Sequence, residues 1–285
     1  MNRQKSFEND KPILYVVATP IGNLQEMTPR AISVLESVDV IAAEDTRNTK
    51  KLLSHFGIHT KLIAHHQHNE TQSAIGLLEL LRQGQNVALV SDAGYPLISD
   101  PGWVVTQKVI EEGYSVVPIS GSNAMLNALV ASGLDTKHFM FYGFLKSQEK
   151  ERIKELNELK YFPYTLVFYE APHRIKKMLS SCLQVFGNRQ ICLARELTKK
   201  HEEFIRGNIE EVLELIDDIK GEIVIVMEGS KEEKLPDETS AMPLIHDQIN
   251  SYIETGLTTN EAIKRVAKER GLNKNQIYKE YHGLS

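Results

Sequence analysis

Residues 86–102, NVALVSDAGYPLISDPG, decide the fold class, because an apolar run stops abruptly at turn-forming and acidic residues. A short apolar run rich in Val that lacks polar alternation is typical of a strand buried on both faces. Ligands of α/β proteins bind beyond the carboxyl ends of such strands. The stretch therefore predicts a buried strand followed by a binding loop that contains Asp92 and Asp100. Asp100 also precedes Pro101 at a favourable helix start, so a capping role stays open for it.

The same alternation of strand and helix extends along most of the chain. Apolar runs rich in Val and Ile, which favour strands, lie at residues 13–18, 38–43, 86–90, 115–119, 139–142, 165–169, 190–194 and 222–227. Amphipathic helical patterns separate several of them, at residues 29–38, 69–82, 101–112 and 122–132. This order predicts an α/β protein with largely parallel sheets.

Breaks in the pattern predict four parts. A break near residues 121–134 separates an N-terminal α/β domain, 1–122, from a second α/β domain, 123–230. Residues 231–243 are polar, acidic and contain Pro236, which predicts a linker. Residues 244–285 form a small helical module that resembles a helix–turn–helix. Its first helix is capped by Thr258 or Thr259 with Glu261, ends at Gly271, and has its apolar face at Ala262, Ile263, Val266 and Ala267. The next helix is anchored by Ile277 and Tyr281.

Composition narrows the function classes. The net charge is −5, so the chain lacks the strong basic excess of many nucleic-acid-binding proteins, and RNA contact needs local basic patches. Basic clusters of this kind occur around Arg47 and Lys50, around Arg174, and around Arg195 and Lys199. The two cysteines, Cys182 and Cys192, predict no disulfide framework and two buried thiols.

The chain also predicts its compartment. The first eleven residues are polar and lack the apolar segment of a signal peptide, and no run of about 18 apolar residues predicts a membrane span. We therefore expect a cytoplasmic protein that does not contact a membrane.

Two further loops follow predicted strands, and one histidine cluster invites a metal hypothesis. Gly22, within TPIGNL, lets a ligand or a helix approach closely, although an ordinary turn explains it equally. The loop Ser120-Gly121-Ser122-Asn123 opens a helix, where Ser122 is either a cap or part of an anion-binding cradle. The cluster of His65, His66, His68 and Glu70 lacks the spacing of a zinc site, so we expect no metal.

Seven motifs occur in a fixed order along the chain. They are TPIGNL (19–24), AAEDTR (42–47), HNE (68–70), SDAGYPLISDPG (91–102), FYEAPHR (168–174), ARELTK (194–199) and EG (228–229). In these motifs the chain resembles the tetrapyrrole methylase-like superfamily, and within it the branch that methylates a cytidine ribose 2′-hydroxyl of bacterial 16S rRNA. It departs from that pattern at Tyr95, where Thr is usual, at residues 120–123, and at Lys146, where Pro is usual.

The resemblance implies a fold, a cofactor and partners. The fold is two α/β domains of the tetrapyrrole methylase type with the cofactor cleft between them, plus the helical module. The cofactor is S-adenosylmethionine, and the substrate is 16S rRNA, free or within the 30S ribosomal subunit. A homodimer is expected. The implied cofactor-binding residues are Pro20, Ile21, Gly22, Asp92, Ala93, Gly94, Tyr95, Ser120, Gly121, Ser122, Asn123, Tyr169, Leu193, Ala194, Glu228 and Gly229.

The methylation chemistry requires further residues. A ribose hydroxyl is a poor nucleophile, so a general base would help its attack on the methyl group. The predicted catalytic residues are Asp100, Arg195 and Lys199, with Lys199 able to act as a base only if it is desolvated. The predicted RNA contacts are Glu44, Arg47, His68, Asn69, Glu70, Glu170, His173, Arg174 and Glu196.

Two alternatives stay open at this point. A methylase of tetrapyrrole (precorrin-type) precursors would share the fold and the cofactor. A non-catalytic rRNA-binding or assembly protein would explain the altered loop at residues 120–123.

Overall fold

The computed structural model describes residues 3–8, 10–65, 70–232 and 244–283, and only the backbone of residues 70 and 71. The predicted RNA contacts His68 and Asn69, the Glu70 side chain and most of the predicted linker lie outside this part of the chain. Residues 1–231 form one compact unit and residues 232–285 a second.

The first half of the large unit is a five-stranded parallel sheet. Its strands are β1 (Ile13–Val17), β2 (Val40–Ala43), β3 (Lys61–Ala64), β4 (Val87–Val90) and β5 (Ser115–Ile119), in the order β3-β2-β4-β1-β5. The intervening helices are α1 (Pro29–Ser37), α2 (Thr46–His55), α3 (Glu70–Arg82) and α4 (Trp103–Glu111). Every residue of β4 is buried, as its unbroken apolar sequence predicts.

The second half is a mixed sheet. Its strands are β6 (Phe139–Phe144), β7 (Thr165–Glu170), β8 (Gln190–Arg195), β9 (Glu203–Asn208) and β10 (Ile223–Met227), in the order β6-β7-β10-β8-β9. Its helices are α5 (Ala124–Ala131), α6 (Glu149–Leu159), α7 (Ile175–Phe186) and α8 (Ile209–Leu215). The chain passes from the first sheet to the second between β5 and β6, and α5 is the helix that connects these two strands.

The prediction of largely parallel sheets is wrong for this second half. Only β6 and β7 are parallel, whereas β10 runs antiparallel to β7 and β8, and β9 runs antiparallel to β8. The short connection at residues 196–202 contains no helix, and parallel neighbours need a longer crossover. The edge strands β3 and β9 are not predicted from the sequence, because both are partly exposed and lack a continuous apolar run.

Apolar packing joins the two halves. Ile21, in the loop after β1, packs in one cluster with Ala128 and Leu129 of α5 and with Val167 and Val224 of the second sheet. Burial of aliphatic side chains of this size stabilises by roughly 1.5–3 kcal/mol each. The loop after β1 is therefore anchored on the second sheet as well as on the first.

The C-terminal unit is a three-helix module, α9 (Ile245–Glu254), α10 (Thr259–Arg270) and α11 (Lys274–Tyr281). Ile249, Ile263, Val266 and Ile277 are fully buried in its own core. The backbone N–H and the hydroxyl of Thr258 both donate to Glu261 Oε2, at 3.0 and 2.6 Å, and Gly271 ends α10 at φ +63°. The predicted boundaries of this helix are confirmed. Among the described helices, none has the length and apolarity needed to cross a membrane.

Candidate active site

A cavity of about 670 Å³ opens between the two sheets. This volume lies in the range of sites that bind cofactor-sized molecules. The first half contributes loop residues that follow β1, β4 and β5, and the second half contributes the ends of β6 and β7, the turn after β8 and the start of β10. The lining residues include Ile21, Ala93, Gly94, Tyr95, Ile98, Ser99, Asp100, Asn123, Phe144, Tyr169, Glu170, Glu196, Lys199 and Gly221–Val224.

Hydrogen bonds tie three loops of the first half together at the cavity. Thr19 and Gly94 exchange both backbone hydrogen bonds, at 2.8 and 3.0 Å. The Gly121 N–H donates to the Tyr95 hydroxyl at 3.3 Å. A Cβ added to Gly121 would lie 2.9 Å from the Ala18 Cβ, so the third loop packs tightly on the end of β1. These contacts join the three loops at the cavity.

The loop that opens α5 has divided roles. Asn123 caps the helix by accepting the Leu126 N–H at 2.9 Å, and it also lines the cavity. The capping role considered for Ser122 is not realised, because its hydroxyl donates to Glu26 Oε2 at 2.6 Å. The Ser120 carbonyl accepts the Thr28 hydroxyl at 3.3 Å.

Carboxyl groups collect at the edge of the first sheet. Asp100 lines the cavity and does not cap α4, whose N-cap is Gly102. Burial raises the pKa of Asp100, and the nearby Asp92 charge raises it further, against the lowering effect of a hydrogen bond with Ser91. Burial also raises the pKa of Glu44, with the charge of Asp100 as the next cause. Asp92 itself is turned to α2, where it accepts the Asn48 amide at 2.9 Å.

Lys199 crosses from the second sheet to the first. Its Nζ lies 3.0 Å from Glu196 Oε1 and 3.2 Å from Glu222 Oε2. Burial by itself lowers the pKa of Lys199, but the hydrogen bond to Glu196 and the contact with Glu222 outweigh burial and raise the pKa. A basic role is expected of Lys199 only if its ammonium group is desolvated. Its two carboxylate partners instead keep Lys199 as a cation in the cavity wall.

The aliphatic part of the same side chain packs on the loop after β1. A Cβ added to Gly22 would lie 2.5 Å from both Cγ and Cε of Lys199. The turn that presents Lys199 is strained, since Glu196 and Thr198 adopt φ of +50° and +67°. Strain of this kind costs about 1–3 kcal/mol per residue and is concentrated at functional sites.

The other predicted catalytic and RNA-contacting residues are placed differently. Arg195 does not belong to the cavity lining in the described part of the chain, because its Nε binds Glu203 at 2.5 Å and its Nη1 donates to the Lys220 carbonyl. Arg47 is highly exposed and pairs with Asp45 at 2.6 Å, and His173 is also exposed.

Glu170 is buried in the cavity wall and forms an ion pair with the partly exposed Arg174. Arg174 Nε lies 3.1 Å from Glu170 Oε1, which also accepts the Ala171 N–H at 2.8 Å. Arg174 Nη2 donates to the Leu145 carbonyl at 2.6 Å. Burial raises the pKa of Glu170, although the Ala171 N–H and Arg174 oppose this rise. The pair links the ends of β6 and β7, which gives Arg174 a structural role in addition to its predicted contact with RNA.

The predicted cofactor-binding residues divide into four groups by location, the fourth being Glu228 and Gly229. Those that line the cavity are Ile21, Ala93, Gly94, Tyr95, Asn123 and Tyr169. Those that belong to the same loops without lining it are Pro20, Gly22, Asp92, Ser120, Gly121 and Ser122. Leu193 and Ala194 are fully buried within the second sheet, on its opposite faces, and Ala194 shares the apolar cluster of Ile21.

Glu228 and Gly229 lie at the wrong end of β10 for the cavity. The Glu228 N–H donates to the carbonyl of Gln190, the first residue of β8, and a Cβ added to Gly229 would meet the Pro163 carbonyl. Because β10 is antiparallel, its first residues reach the cavity instead. Glu222 is not among the predicted site residues, because nothing local in the sequence shows that β10 runs antiparallel to its neighbours and so begins at the cavity.

The described residues form no metal site. Among them, no group of three or more His, Cys, Asp or Glu side chains is arranged to hold a metal ion. Of the histidine cluster considered for a metal, His66, His68 and the Glu70 side chain lie outside the described residues. The buried His65 has its Nδ1 2.7 Å from the Ser73 hydroxyl.

Comparison with known proteins places the chain in a family. The family model described as Tetrapyrrole (Corrin/Porphyrin) Methylases matches residues 13–213. The chain belongs to the tetrapyrrole methylase family. Proteins named ribosomal RNA small subunit methyltransferase I, from Bacillus subtilis strain 168 and from Halalkalibacterium halodurans, are each 48% identical to it over 99% of both chains. The chain is therefore a methyltransferase of this group.

A solved structure shares the fold. Uroporphyrin-III C-methyltransferase from Thermus thermophilus, complexed with S-adenyl homocysteine, superposes with a TM-score of 0.55 at 17% identity, covering 76% of this chain and 97% of the other. The predicted fold class is thereby confirmed, because two α/β halves and a helical C-terminal module are what the resemblance implied.

Proposed function

We propose that this methyltransferase transfers the methyl group of S-adenosylmethionine to the ribose 2′-hydroxyl of a cytidine in 16S rRNA. The observation that carries the proposal is full-length similarity, at 48% identity, to relatives named for the small-subunit ribosomal RNA. Such a protein acts in the cytoplasm on the 30S subunit or its RNA, and we propose that it acts as a homodimer.

The composition of the cavity fits this cofactor. Asp100, Glu170, Glu196 and Glu222 supply four carboxyl groups against the single ammonium of Lys199 among the described lining residues. A negatively charged wall favours a cationic sulfonium over an anionic ligand. Ile21 and Val224 supply apolar surface that suits an adenine ring. When bound, the cofactor supplies an electrophilic methyl carbon.

Asp100 is the best-placed general base. It lines the cavity, and its raised pKa brings its proton affinity closer to that required at neutral pH. In the proposed step Asp100 accepts the proton of the ribose hydroxyl, whose oxygen would take the methyl group that the bound cofactor would supply. Lys199, held by Glu196 and Glu222, fixes the wall opposite the first-half loops and does not accept the proton.

The role of Asp100 is tested by separating binding from turnover. Asp100→Asn should abolish most methyl transfer while calorimetry still detects S-adenosylmethionine binding close to the wild-type affinity. Asp100→Glu, which restores a carboxyl group, should recover part of the rate. Loss of cofactor binding in Asp100→Asn would show that Asp100 holds the cofactor and is not the base.

The substrate is tested in cells. Mass-spectrometric mapping of 16S rRNA ribose methylation, with and without the gene, should show one 2′-O-methylcytidine that disappears in the deletion and returns with the wild-type gene. An unchanged map would remove the rRNA assignment. Incubation of the purified protein with labelled cofactor and a tetrapyrrole precursor then distinguishes the tetrapyrrole methylase alternative, and absence of cofactor binding would favour a non-catalytic rRNA-binding protein.

A further inference from the structure

An apolar lip borders the cavity at its junction between the two sheets. We define the lip as Ile98, in the loop after β4, and Phe144, the last residue of β6. Both line the cavity, yet 42% of Ile98 and 52% of Phe144 stay exposed. A Cβ added to Gly143 would lie 3.6 Å from the Ser99 Oγ, so the end of β6 adjoins the loop after β4. Exposed apolar side chains at the edge of a binding cavity indicate a contact surface.

The Phe144 ring is supported from inside the protein. Its centroid lies 5.7 Å from that of Tyr169, with an interplanar angle of 62°, and Tyr169 lies 4.8 Å from Phe141 in a similar edge arrangement. Edge-to-face contacts of this kind orient aromatic rings. Phe144 is therefore an aromatic side chain held in position by other rings while half of its surface is accessible from the cavity side.

Charge decides which part of a nucleotide can enter beside the lip. The only ammonium among the described lining residues, Lys199, is already opposed by Glu196 and Glu222 at 3.0 and 3.2 Å. Glu170 is paired with Arg174, but the described lining keeps an excess of carboxyl groups, Asp100 among them, so a phosphate placed on the lip beside them would be repelled. A neutral base meets no such repulsion, and it gains contact area on the lip.

We propose that the lip receives the base of the acceptor nucleotide, with Phe144 as its stacking platform, so that an unstacked nucleotide of single-stranded RNA presents its ribose to the cavity. The proposal rests on the proposed function, because it names how that RNA presents its ribose to Asp100. Unstacked bases of single-stranded RNA are commonly held on aromatic side chains in this way.

The test compares two phenylalanines of the same strand. Phe139 begins β6 and is 39% exposed, but it lies at the opposite end of the strand from the cavity. Phe144→Ala should raise the KM for a 16S rRNA substrate about 5- to 150-fold, the range expected for losing one base–aromatic stack. Phe139→Ala should leave KM unchanged. Calorimetry should give both variants the wild-type affinity for S-adenosylmethionine.

A second measurement identifies the group on the lip. A transcript of the small-subunit RNA containing 5-iodocytidine, irradiated with the protein and analysed by peptide mass spectrometry, should cross-link at Phe144. The cross-link should persist in Phe139→Ala and disappear in Phe144→Ala, while Phe144→Trp should retain a low KM because it keeps the aromatic surface.

The outcomes separate the proposal from its alternatives. Weaker cofactor binding in Phe144→Ala with an unchanged KM for RNA would overturn the proposal and make Phe144 a cofactor wall. Full recovery of KM in Phe144→Leu would overturn stacking in favour of plain apolar contact. If the wild-type protein does not methylate the RNA at all, the proposed function fails. If the wild-type protein methylates the RNA and substitution of Phe144 does not change the KM for RNA, only the proposed role of the lip fails.

Discussion

Replacing Gly22 by Ala should displace Lys199 from the cavity wall and lower both stability and activity. The added Cβ would lie 2.5 Å from Cγ and Cε of Lys199, almost 1 Å inside ordinary carbon–carbon contact of about 3.5 Å. The φ of +145° at Gly22 is also one that residues with a side chain rarely adopt. Lys199 must therefore move away from Glu196 and Glu222, or the loop after β1 must move away from the second sheet.

The expected magnitude is the sum of two effects. The backbone conformation costs about 1–3 kcal/mol for a residue other than glycine. Breaking the partly exposed ion pairs of Lys199 adds at most about 1 kcal/mol. Together these effects give about 1–4 kcal/mol, so at about 2–4 °C per kcal/mol for a unit of this size the melting temperature should fall by roughly 2–16 °C. Displacement of the wall by about 1 Å should reduce kcat/KM for RNA methylation by about 100-fold.

A double-mutant cycle isolates the contact from the strain. Lys199→Ala removes the Cγ, Cδ and Cε atoms that the new Cβ would meet, so Gly22→Ala should cost less stability in that background, by about 1 kcal/mol. Gly84→Ala is the matched control, because Gly84 has φ +86° and nothing within 4 Å of an added Cβ. It should lower the melting temperature through its backbone conformation alone, by roughly 2–12 °C on the same scale, and leave kcat/KM unchanged.

Two results would refute this reasoning. Equal effects of Gly22→Ala on stability in the wild-type and Lys199→Ala backgrounds would show that Lys199 does not pack on Gly22 as described. If Gly22→Ala keeps the wild-type kcat/KM while Lys199→Ala lowers it, Lys199 does not need to pack on the loop after β1 in order to function.

Three further predictions address single groups. Burial raises the pKa of Asp100 above its ordinary value of 3.8, so ionisation of Asp100 destabilises the fold as the pH rises through the raised pKa. Asp100→Asn should therefore have a higher melting temperature than wild type at pH 7–8, and the difference should vanish below about pH 4. A lower melting temperature of Asp100→Asn at neutral pH would contradict this prediction. Tyr95→Phe removes the acceptor of the Gly121 N–H and should weaken S-adenosylmethionine binding by about 5-fold in calorimetry. Unchanged binding would show that this hydrogen bond does not hold the loop in place for the cofactor. Burial raises the pKa of the Cys182 thiol to about 12, so a chromogenic disulfide reagent at pH 8 should label Cys182 only after unfolding, and rapid labelling of the native protein would refute its burial.

Much of the architecture follows from the sequence because it depends on local patterns. The unbroken apolar run of β4 requires burial on both faces, and helix-length connections between such runs impose parallel pairing in the first sheet. Parallel strands bring their carboxyl ends to one edge, so the order of strands and loops by itself assigns the loops containing Ile21, Gly94 and Asp100 to one site.

The tertiary structure alone decided strand direction in the second half and the chemistry of individual groups. Nothing local in the sequence reverses β10, yet its antiparallel pairing brings Glu222 to the cavity and takes Glu228 away from it. The sequence allows Lys199 to be a desolvated base, but carboxylates from two separate chain segments hold it charged. The sequence also allows two roles for Asp100, and the position of Gly102 at the start of α4 leaves Asp100 in the cavity. Long-range pairing and through-space charge have no signature in a local pattern, so only the folded chain determines them.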